Sequence, residues 1–157
     1  MPKRSAGVLM YRYRNGELEV FLVHPGGPFW AKKDRGSWSI PKGEYDECEE
    51  PQAAAAREFS EETGFTVAAN MRELGEVKQA GGKLVSAWCF EGDCNPGDLV
   101  SNVFQMEWPP HSGRLAEFPE VDRGGWFSMA DVREHILTSQ APFLDMLDRL
   151  LRSEKKL

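Results

Sequence analysis

The sequence predicts one α/β domain, in which a β-sheet built partly from hairpins packs against helices. Short runs of β-branched and aromatic residues are joined by Gly-containing turns, which is typical of antiparallel strands. Two other segments carry helix-forming or apolar residues at helical spacing. The 157 residues, of which 41% are hydrophobic, can form one core without disulfides or a structural metal. We therefore expect a single domain over residues 1–157.

A β-hairpin and a long loop are predicted at the start of the chain. Strands over residues 7–13 and 18–23 flank Asn15-Gly16, a dipeptide that favours a type I′ turn. Residues 24–37 are rich in Gly, Pro and charged side chains, which indicates a loop. Long loops in compact domains are often functional, although a disordered connector is the alternative.

A helix over residues 51–62 is the best specified element. Pro51 suits the first helical turn, and residues 53–56 are four alanines with high helix propensity. Gly64 stands where a left-handed C-cap is favoured. These signals agree with one another and fix both ends of the helix.

A second hairpin and two C-terminal helices are predicted in the rest of the chain. Strands over residues 74–80 and 84–90 flank a Gly-Gly turn, and residues 103–108 can add another strand. Ser128 can cap a short helix that ends near residue 137. In the last segment, five apolar residues fall at helical spacing and predict a core-facing stripe: Phe143, Leu144, Leu147, Leu150 and Leu151.

Charge and cysteine content narrow the function classes. The 25 acidic residues exceed the 19 basic ones and give a net charge of −6, so a general nucleic-acid-binding surface is not expected. The three cysteines are an odd number without a CxxC pair, which favours reduced thiols and a reducing compartment. No apolar run has the length of a signal peptide or a membrane span, so we expect a cytoplasmic protein without a membrane partner.

Three glutamates of the predicted helix form a candidate metal site. Glu58, Glu61 and Glu62 stand at i, i+3 and i+4, so they share one helical face and repel one another. Carboxylate oxygens are preferred ligands of Mg²⁺, which often bridges protein carboxylates to substrate phosphates. The spacing therefore predicts a Mg²⁺ site in which Mn²⁺ can substitute. A solvated acidic helix face is the alternative.

The residues around this helix match a longer pattern. Residues 43–65 read GEYDECEEPQAAAAREFSEETGF and fill every fixed position of Gx5Ex7REUxEExGU, where U is apolar. This segment resembles the Nudix box, and the chain therefore resembles the Nudix hydrolases. The resemblance implies an α/β/α sandwich with a mixed β-sheet. It also implies a Mg²⁺-dependent pyrophosphohydrolase that cleaves a diphosphate linkage in a nucleotide-type substrate.

The resemblance implies roles for individual residues. The expected catalytic and metal-binding groups in and beside the box are Glu58, Glu61, Glu62 and the backbone carbonyl of Lys42. The expected supporting residues are Gly43, Glu49, Arg57 and Gly64. Gly43 permits a close turn before the helix, and the charges of Arg57 and Glu49 suit a pair that braces loop against helix.

A further carboxylate from outside the box is expected near a late Trp-containing strand. Glu120, six residues before Trp126, is the candidate for catalysis and metal binding, with Glu117 and Glu107 as competitors. We expect water to attack phosphorus in line, because no serine or cysteine near the box has an adjacent histidine to activate it. The three histidines are expected to be structural or solvated: His24, His111 and His135.

The substrate class is the most open expectation. The Pro-Lys-Gly of WSIPKGE is frequent in family members that act on dinucleoside polyphosphates such as diadenosine tetraphosphate, whereas many triphosphate-sanitising members carry Pro-Gly-Gly. Aromatic and basic residues that can stack bases or offset phosphate charge cluster in and after the upstream loop: Phe29, Trp30, Trp38, Lys32, Lys33, Arg35 and Lys42.

Several alternatives stay open at this point. The enzyme can be a pyrophosphohydrolase of oxidised or otherwise modified nucleoside triphosphates. It can also be a nucleotide-sensing module without catalysis, although such a module is expected to lack box carboxylates and none is missing here. For the loop, Trp38 can pack in the core instead of stacking a base, and the lysines can be solvated.

Overall fold

The computed structural model describes residues 3–67 and 70–155. Within them, eight strands and three α-helices follow one another along the chain. The strands are β1 (Arg4–Arg14), β2 (Glu17–Pro25), β3 (Lys42–Glu44), β4 (Arg72–Lys78), β5 (Leu84–Glu91), β6 (Val103–Glu107), β7 (Leu115–Pro119) and β8 (Val121–Ser128). The helices are α1 (Pro51–Thr63), α2 (Met129–His135) and α3 (Pro142–Lys155).

Six strands form one mixed sheet in the order β4-β5-β1-β2-β8, and β3 pairs with the beginning of β1. The pairing of β1 with β5 is parallel, whereas β1 with β2, β2 with β8 and β4 with β5 are antiparallel. β6 and β7 form a separate two-stranded hairpin. The predicted mixed sheet is confirmed.

Helices cover both faces of this sheet, because successive residues of a strand point to opposite sides. Leu9 and Tyr11 of β1 belong to a core with α2 and α3, whereas Val8 and Met10 belong to a core with α1. The apolar stripe of α3 lies in the first of these cores, as its spacing predicted. The predicted α/β/α sandwich is therefore the observed architecture.

The turns and caps predicted from local chemistry are present. Asn15 and Gly16 both have positive φ, 54° and 81°, as a type I′ turn requires. Gly64 ends α1 in a left-handed conformation with φ of 77°, and its N–H donates to the Ser60 carbonyl. Ser128 caps α2 by accepting a hydrogen bond from the N–H of Asp131.

Two predictions about the sheet need correction. The loop expected over residues 24–37 is shorter, because β2 continues to Pro25 and pairs there with β8. The strand expected over residues 103–108 forms, but it pairs only with β7, whose segment was not predicted as a strand.

The thiols of Cys48, Cys89 and Cys94 are unpaired. None of the described helices has the length and apolar character needed to cross a membrane.

Candidate functional site

The acidic face of α1 is held against β3 by the local backbone. Gly43 pairs with Ala6 of β1, which brings the β3 backbone close to the helix. Glu58 is buried, and its carboxyl group packs directly against Gly43. Its burial raises the pKa of Glu58, partly opposed by the hydrogen bond from Arg57. This carboxyl group therefore lies between the helix and the loop that precedes it.

Arg57 connects the box residues to one another. Its Nε and Nη2 donate to the two carboxylate oxygens of Glu49, at 2.7 and 2.8 Å. Its Nη1 donates to Glu58 at 2.8 Å and to Glu61 at 3.1 Å. The hydrogen bonds to Glu49 hold the pKa of Arg57 above its usual range and the pKa of Glu49 below its own. Arg57 thus bonds to Glu49 before the helix and to two glutamates of the helix.

Glu62 and Lys42 form the inner wall of a cleft. The backbone N–H of Lys42 donates to Oε1 of Glu62 at 3.3 Å. Burial raises the pKa of Glu62 to about 8 and lowers the pKa of Lys42. The cleft has a volume of about 220 Å³ and is lined by residues from distant parts of the chain: Val23, Pro25, Trp30, Ser37, Ser39, Ile40, Lys42, Glu62, Glu120, Val121 and Leu137.

Glu120 lies on the same cleft as Glu62. The N–H of Asn102 donates to the Glu61 carbonyl at 2.9 Å, and the N–H of Glu120 donates to the Asn102 carbonyl at 2.8 Å. These two bonds carry the segment after β7 to the C-terminal part of α1. Burial raises the pKa of Glu120, and the negative charge of Glu61 raises it further.

The two competing carboxylates are placed differently. Glu117 lies on β7 opposite Gln105, whose amide donates to it at 3.5 Å. Glu107 accepts hydrogen bonds from the backbone N–H groups of His111 and Gly113 and so organises the turn of the β6–β7 hairpin. Neither of them lines the cleft. Among the three candidates, Glu120 is the one that faces the box glutamates.

The donor groups of this site suit a hard divalent cation. Across residues 3–67 and 70–155, no group of three or more His, Cys, Asp or Glu side chains is placed so that it could hold a metal ion by itself. Mg²⁺ does not require one, because it keeps several waters and commonly uses one or two carboxylates together with substrate phosphates. Burial raises the pKa of Glu58, Glu62 and Glu120, because desolvation disfavours their ionised forms. A bound cation would offset this cost.

The structure corrects the predicted role of Trp38. Its side chain is only 6% exposed and lies in the core that contains α2 and α3. Its ring packs edge-on against Phe127 and His24, and its indole N–H donates to Asp34 at 2.7 Å. A base therefore has no free face of Trp38 on which to stack, and the alternative of core packing is correct.

The loop that was expected to contact substrate, residues 26–37, is called the substrate loop below, and its side chains are divided between the cleft, α2 and solvent. Trp30 is 37% exposed and lines the cleft, and the Nζ of Lys33 lies 5.0 Å from its ring centroid. Arg35 points to α2, where it pairs with Glu134 at 3.6 Å. Lys32 is exposed. Only part of the predicted aromatic and basic cluster is therefore at the cleft.

Sequence reasoning did not predict which apolar residues would form the walls of the cleft. Val23, Val121 and Leu137 come from β2, β8 and the segment after α2, and they meet only because of the strand order. Val23 and Leu137 end segments that were predicted as a strand and a helix, whereas no element was predicted around Val121. Such a signal marks core residues equally well.

The fold and the glutamate-rich helix define an α/β/α sandwich protein with a carboxylate-lined cleft. The chain matches the NUDIX domain family over residues 1–147 and belongs to that family. The predicted resemblance to the Nudix hydrolases is thus confirmed.

One relative with a named activity is similar in sequence to most of this chain. An 8-oxo-(d)GTP phosphatase from Mycolicibacterium smegmatis (strain ATCC 700084 / mc(2)155) is 40% identical over 134 residues, which covers 76% of this chain. The chain spans only 38% of the length of that relative.

Solved structures share the fold at low sequence identity. A C. elegans Ap4A hydrolase, in a binary complex, has a TM-score of 0.68 at 23% identity, with 96% of this chain and 98% of that chain covered. The NUDIX domain of Shewanella oneidensis NrtR, complexed with ADP ribose, has a TM-score of 0.66 at 17% identity, with 96% and 89% covered. At this identity the likeness shows the fold alone.

Proposed function

We propose that this protein hydrolyses a diphosphate linkage in a nucleotide-type substrate and uses a divalent cation, in the first place Mg²⁺. One observation carries the proposal: Lys42, Glu62 and Glu120 line the same cleft, beside Glu58 and Glu61 on α1. Nudix hydrolases generally use divalent metals, usually Mg²⁺. The chain has every carboxylate of the box, which favours catalysis over nucleotide sensing.

The residues of the cleft divide into groups with different tasks. We assign the binding of the cation to the glutamates of α1, the Lys42 carbonyl and Glu120. The transfer of the water proton is assigned to the carboxyl groups of this set. When bound, Mg²⁺ offsets phosphate charge and makes water a better nucleophile. Arg57 keeps Glu58 and Glu61 in place through its hydrogen bonds. The ammonium group of Lys42 is available to a phosphate in the cleft.

A dinucleoside polyphosphate is the first candidate substrate. Pro41, Lys42 and Gly43 form the motif that favours this class. Trp30 lines the cleft, and Phe29, its neighbour in the sequence, is 60% exposed and packs edge-on against Trp108 at 5.4 Å. Two rings suit a substrate with two bases. The shared fold of the Ap4A hydrolase is consistent with this candidate.

An oxidised purine nucleoside triphosphate is the second candidate. The observation that favours it is the 40% identity to a phosphatase of 8-oxo-(d)GTP, which is a closer sequence likeness than that of the structural neighbours. A triphosphate has one base, so it requires only one aromatic contact at the cleft. The two candidates therefore make different demands on Phe29 and Trp30.

The proposal is tested by product analysis on a nucleotide panel. Diadenosine tetraphosphate, 8-oxo-dGTP, dGTP and ATP are incubated with the protein in Mg²⁺, and the products are separated by chromatography. The same reactions with EDTA, and with Glu62→Gln in Mg²⁺, serve as controls. We expect products that depend on Mg²⁺ and on Glu62. If none of the four nucleotides is cleaved in a Mg²⁺-dependent way, the proposed activity is wrong.

A further inference from the structure

His24 is a fully buried polar residue near the end of β2. Its Nδ1 lies 2.9 Å from Oδ1 of Asp122 in β8, and its Nε2 lies 2.5 Å from the backbone carbonyl oxygen of Lys33. A carbonyl oxygen only accepts hydrogen bonds, so Nε2 donates to Lys33. The side chain therefore joins the substrate loop to the sheet.

The bond to Lys33 holds the middle of the substrate loop. At the start of the loop, the N–H of Gly26 donates to the carbonyl of Glu120 at 2.9 Å, and at its end the N–H of Gly36 donates to α2 at 3.1 Å. Between these points, the N–H of Lys33 donates to the Trp30 carbonyl at 3.0 Å and closes a turn. His24 fastens that turn to β2 and β8.

We infer that His24 is a positioning residue for substrate binding, which sets Trp30 and Lys33 against the cleft. The inference rests on the proposed function. Trp30 lines the cleft and Lys33 lies over its ring, so release of the turn moves both side chains. Glu120 keeps its own backbone bonds to residues 26 and 102. Loss of His24 should therefore raise KM and leave kcat nearly unchanged.

Two substitutions separate the two hydrogen bonds of His24. The amide nitrogen of Gln corresponds in reach to Nε2, so His24→Gln retains a donor for the Lys33 carbonyl. The amide nitrogen of Asn corresponds to Nδ1, so His24→Asn reaches only Asp122. His111→Asn is a matched control, because His111 is exposed and its φ of 62° is one that Asn tolerates. Asp122→Asn leaves the bond to Lys33 in place.

Kinetics of the full chain with Mg²⁺ test the inference, with diadenosine tetraphosphate and 8-oxo-dGTP as separate substrates. We expect KM to rise about tenfold in His24→Asn, with kcat within about twofold, because one buried hydrogen bond is lost. His24→Gln, Asp122→Asn and His111→Asn should keep KM within about threefold of the unmodified protein. Equal KM in the Asn and Gln variants of His24, a higher KM in Asp122→Asn, or a fall in kcat alone would overturn the inference.

A measurement without substrate separates this inference from the proposed function. Amide hydrogen exchange of the peptide that spans residues 27–34 should be faster in His24→Asn than in His24→Gln, since only the first releases the turn. Equal exchange would show that His24 does not hold the loop. If the unmodified protein cleaves none of the four nucleotides of the panel, the proposed function fails, and the exchange rates still decide whether the loop is held by His24. Should His24→Asn not fold, His24→Met, which has a similar volume but cannot donate to the Lys33 carbonyl, takes its place in both measurements.

Discussion

The carboxyl group of Glu58 occupies the space in which a side chain at Gly43 would lie. A Cβ atom built on Gly43 would be 2.0 Å from Cδ of Glu58, far inside any real contact. Glycine is needed here because helix and loop approach closely, whereas the sequence suggested that a tight turn required it. Packing therefore couples Gly43, at the start of the box, to Glu58 on the helix.

We predict that Gly43→Ala displaces Glu58 and lowers kcat by about a hundredfold, since a shift of about 1 Å in a catalytic group has effects of this size. The affinity for Mn²⁺, measured by electron paramagnetic resonance, should fall as well. Gly125→Ala is the matched control, because its Cβ would meet its nearest neighbour at an ordinary 3.6 Å. Unchanged kcat and Mn²⁺ binding in Gly43→Ala would contradict the packing argument.

Removal of charge from the acidic face should stop the reaction and leave the fold intact. Glu58→Gln and Glu62→Gln each remove a group that we assign to the cation or to proton transfer, and such losses raise the barrier by several kcal/mol, on the order of a thousandfold in rate. Circular dichroism should show an unchanged fold. Retention of more than about a tenth of kcat in both variants would be incompatible with these roles.

Glu62 should make the metal-free protein less stable as pH rises. Burial raises its pKa from 4.5 to about 8, so between these values the folded protein binds a proton that the unfolded chain has released. Stability is then fully present below pH 4.5 and is lost as pH rises through about 8.

The matched variant for this effect is Glu62→Gln, which cannot ionise. With EDTA present, Tm should fall between about pH 5 and pH 8 by a few degrees more in the unmodified protein than in this variant. Mg²⁺ should restore part of the loss in the unmodified protein only, because the cation favours the ionised carboxyl group. Parallel Tm curves for the two proteins in EDTA would rule out the assigned cause.

The parts of the fold that were predictable are those specified by neighbouring residues. The Asn15-Gly16 turn and the Gly64 cap depend on φ values that few residues adopt, so a short stretch of sequence is enough. The box is likewise local, because helical spacing alone places three glutamates on one face.

Long-range relationships were not predictable in the same way. Glu120 reaches α1 only because residues 100–102 bond to the end of that helix, and a single sequence carries no sign of this. Trp38 and Trp30 both stand two positions from a Gly, Pro or Lys residue, yet one is in the core and the other at the cleft. The buried His24 was expected to be structural or solvated, and its link to Lys33 depends on how the substrate loop folds back.

Glu120 and Glu117 offer a direct test of the carboxylate from outside the box. We predict that Glu120→Gln slows turnover at least about tenfold, because this carboxyl group faces Glu61 and lines the cleft. Glu117→Gln should have no such effect, since its side chain bonds to Gln105 on the hairpin. The opposite ranking would move the role to Glu117, and two silent variants would direct attention to Glu107.

We expect discrimination between substrates to depend on Trp30, which lines the cleft, and on the aromatic and basic residues near it. With Trp38 in the core, base stacking rests on Trp30 and Phe29, and each stacked base contributes about 1–3 kcal/mol. Lys33 lies over the ring of Trp30, which lines the cleft, whereas Arg35 is paired with Glu134.

We predict a higher kcat/KM for diadenosine tetraphosphate or a longer homologue than for any single unmodified nucleoside triphosphate, because a longer phosphate chain with two bases uses both the rings and the positive charge. Neutralising Lys32, Lys33 and Arg35 together should raise KM, and Lys33→Ala alone should account for most of the rise. Trp30→Ala should raise KM about tenfold or more, while Trp38→Phe should act on stability and leave KM nearly unchanged. A tenfold preference for a triphosphate, unmodified or oxidised, would reject the dinucleoside polyphosphate, and only a preference for the oxidised triphosphate would favour the second candidate.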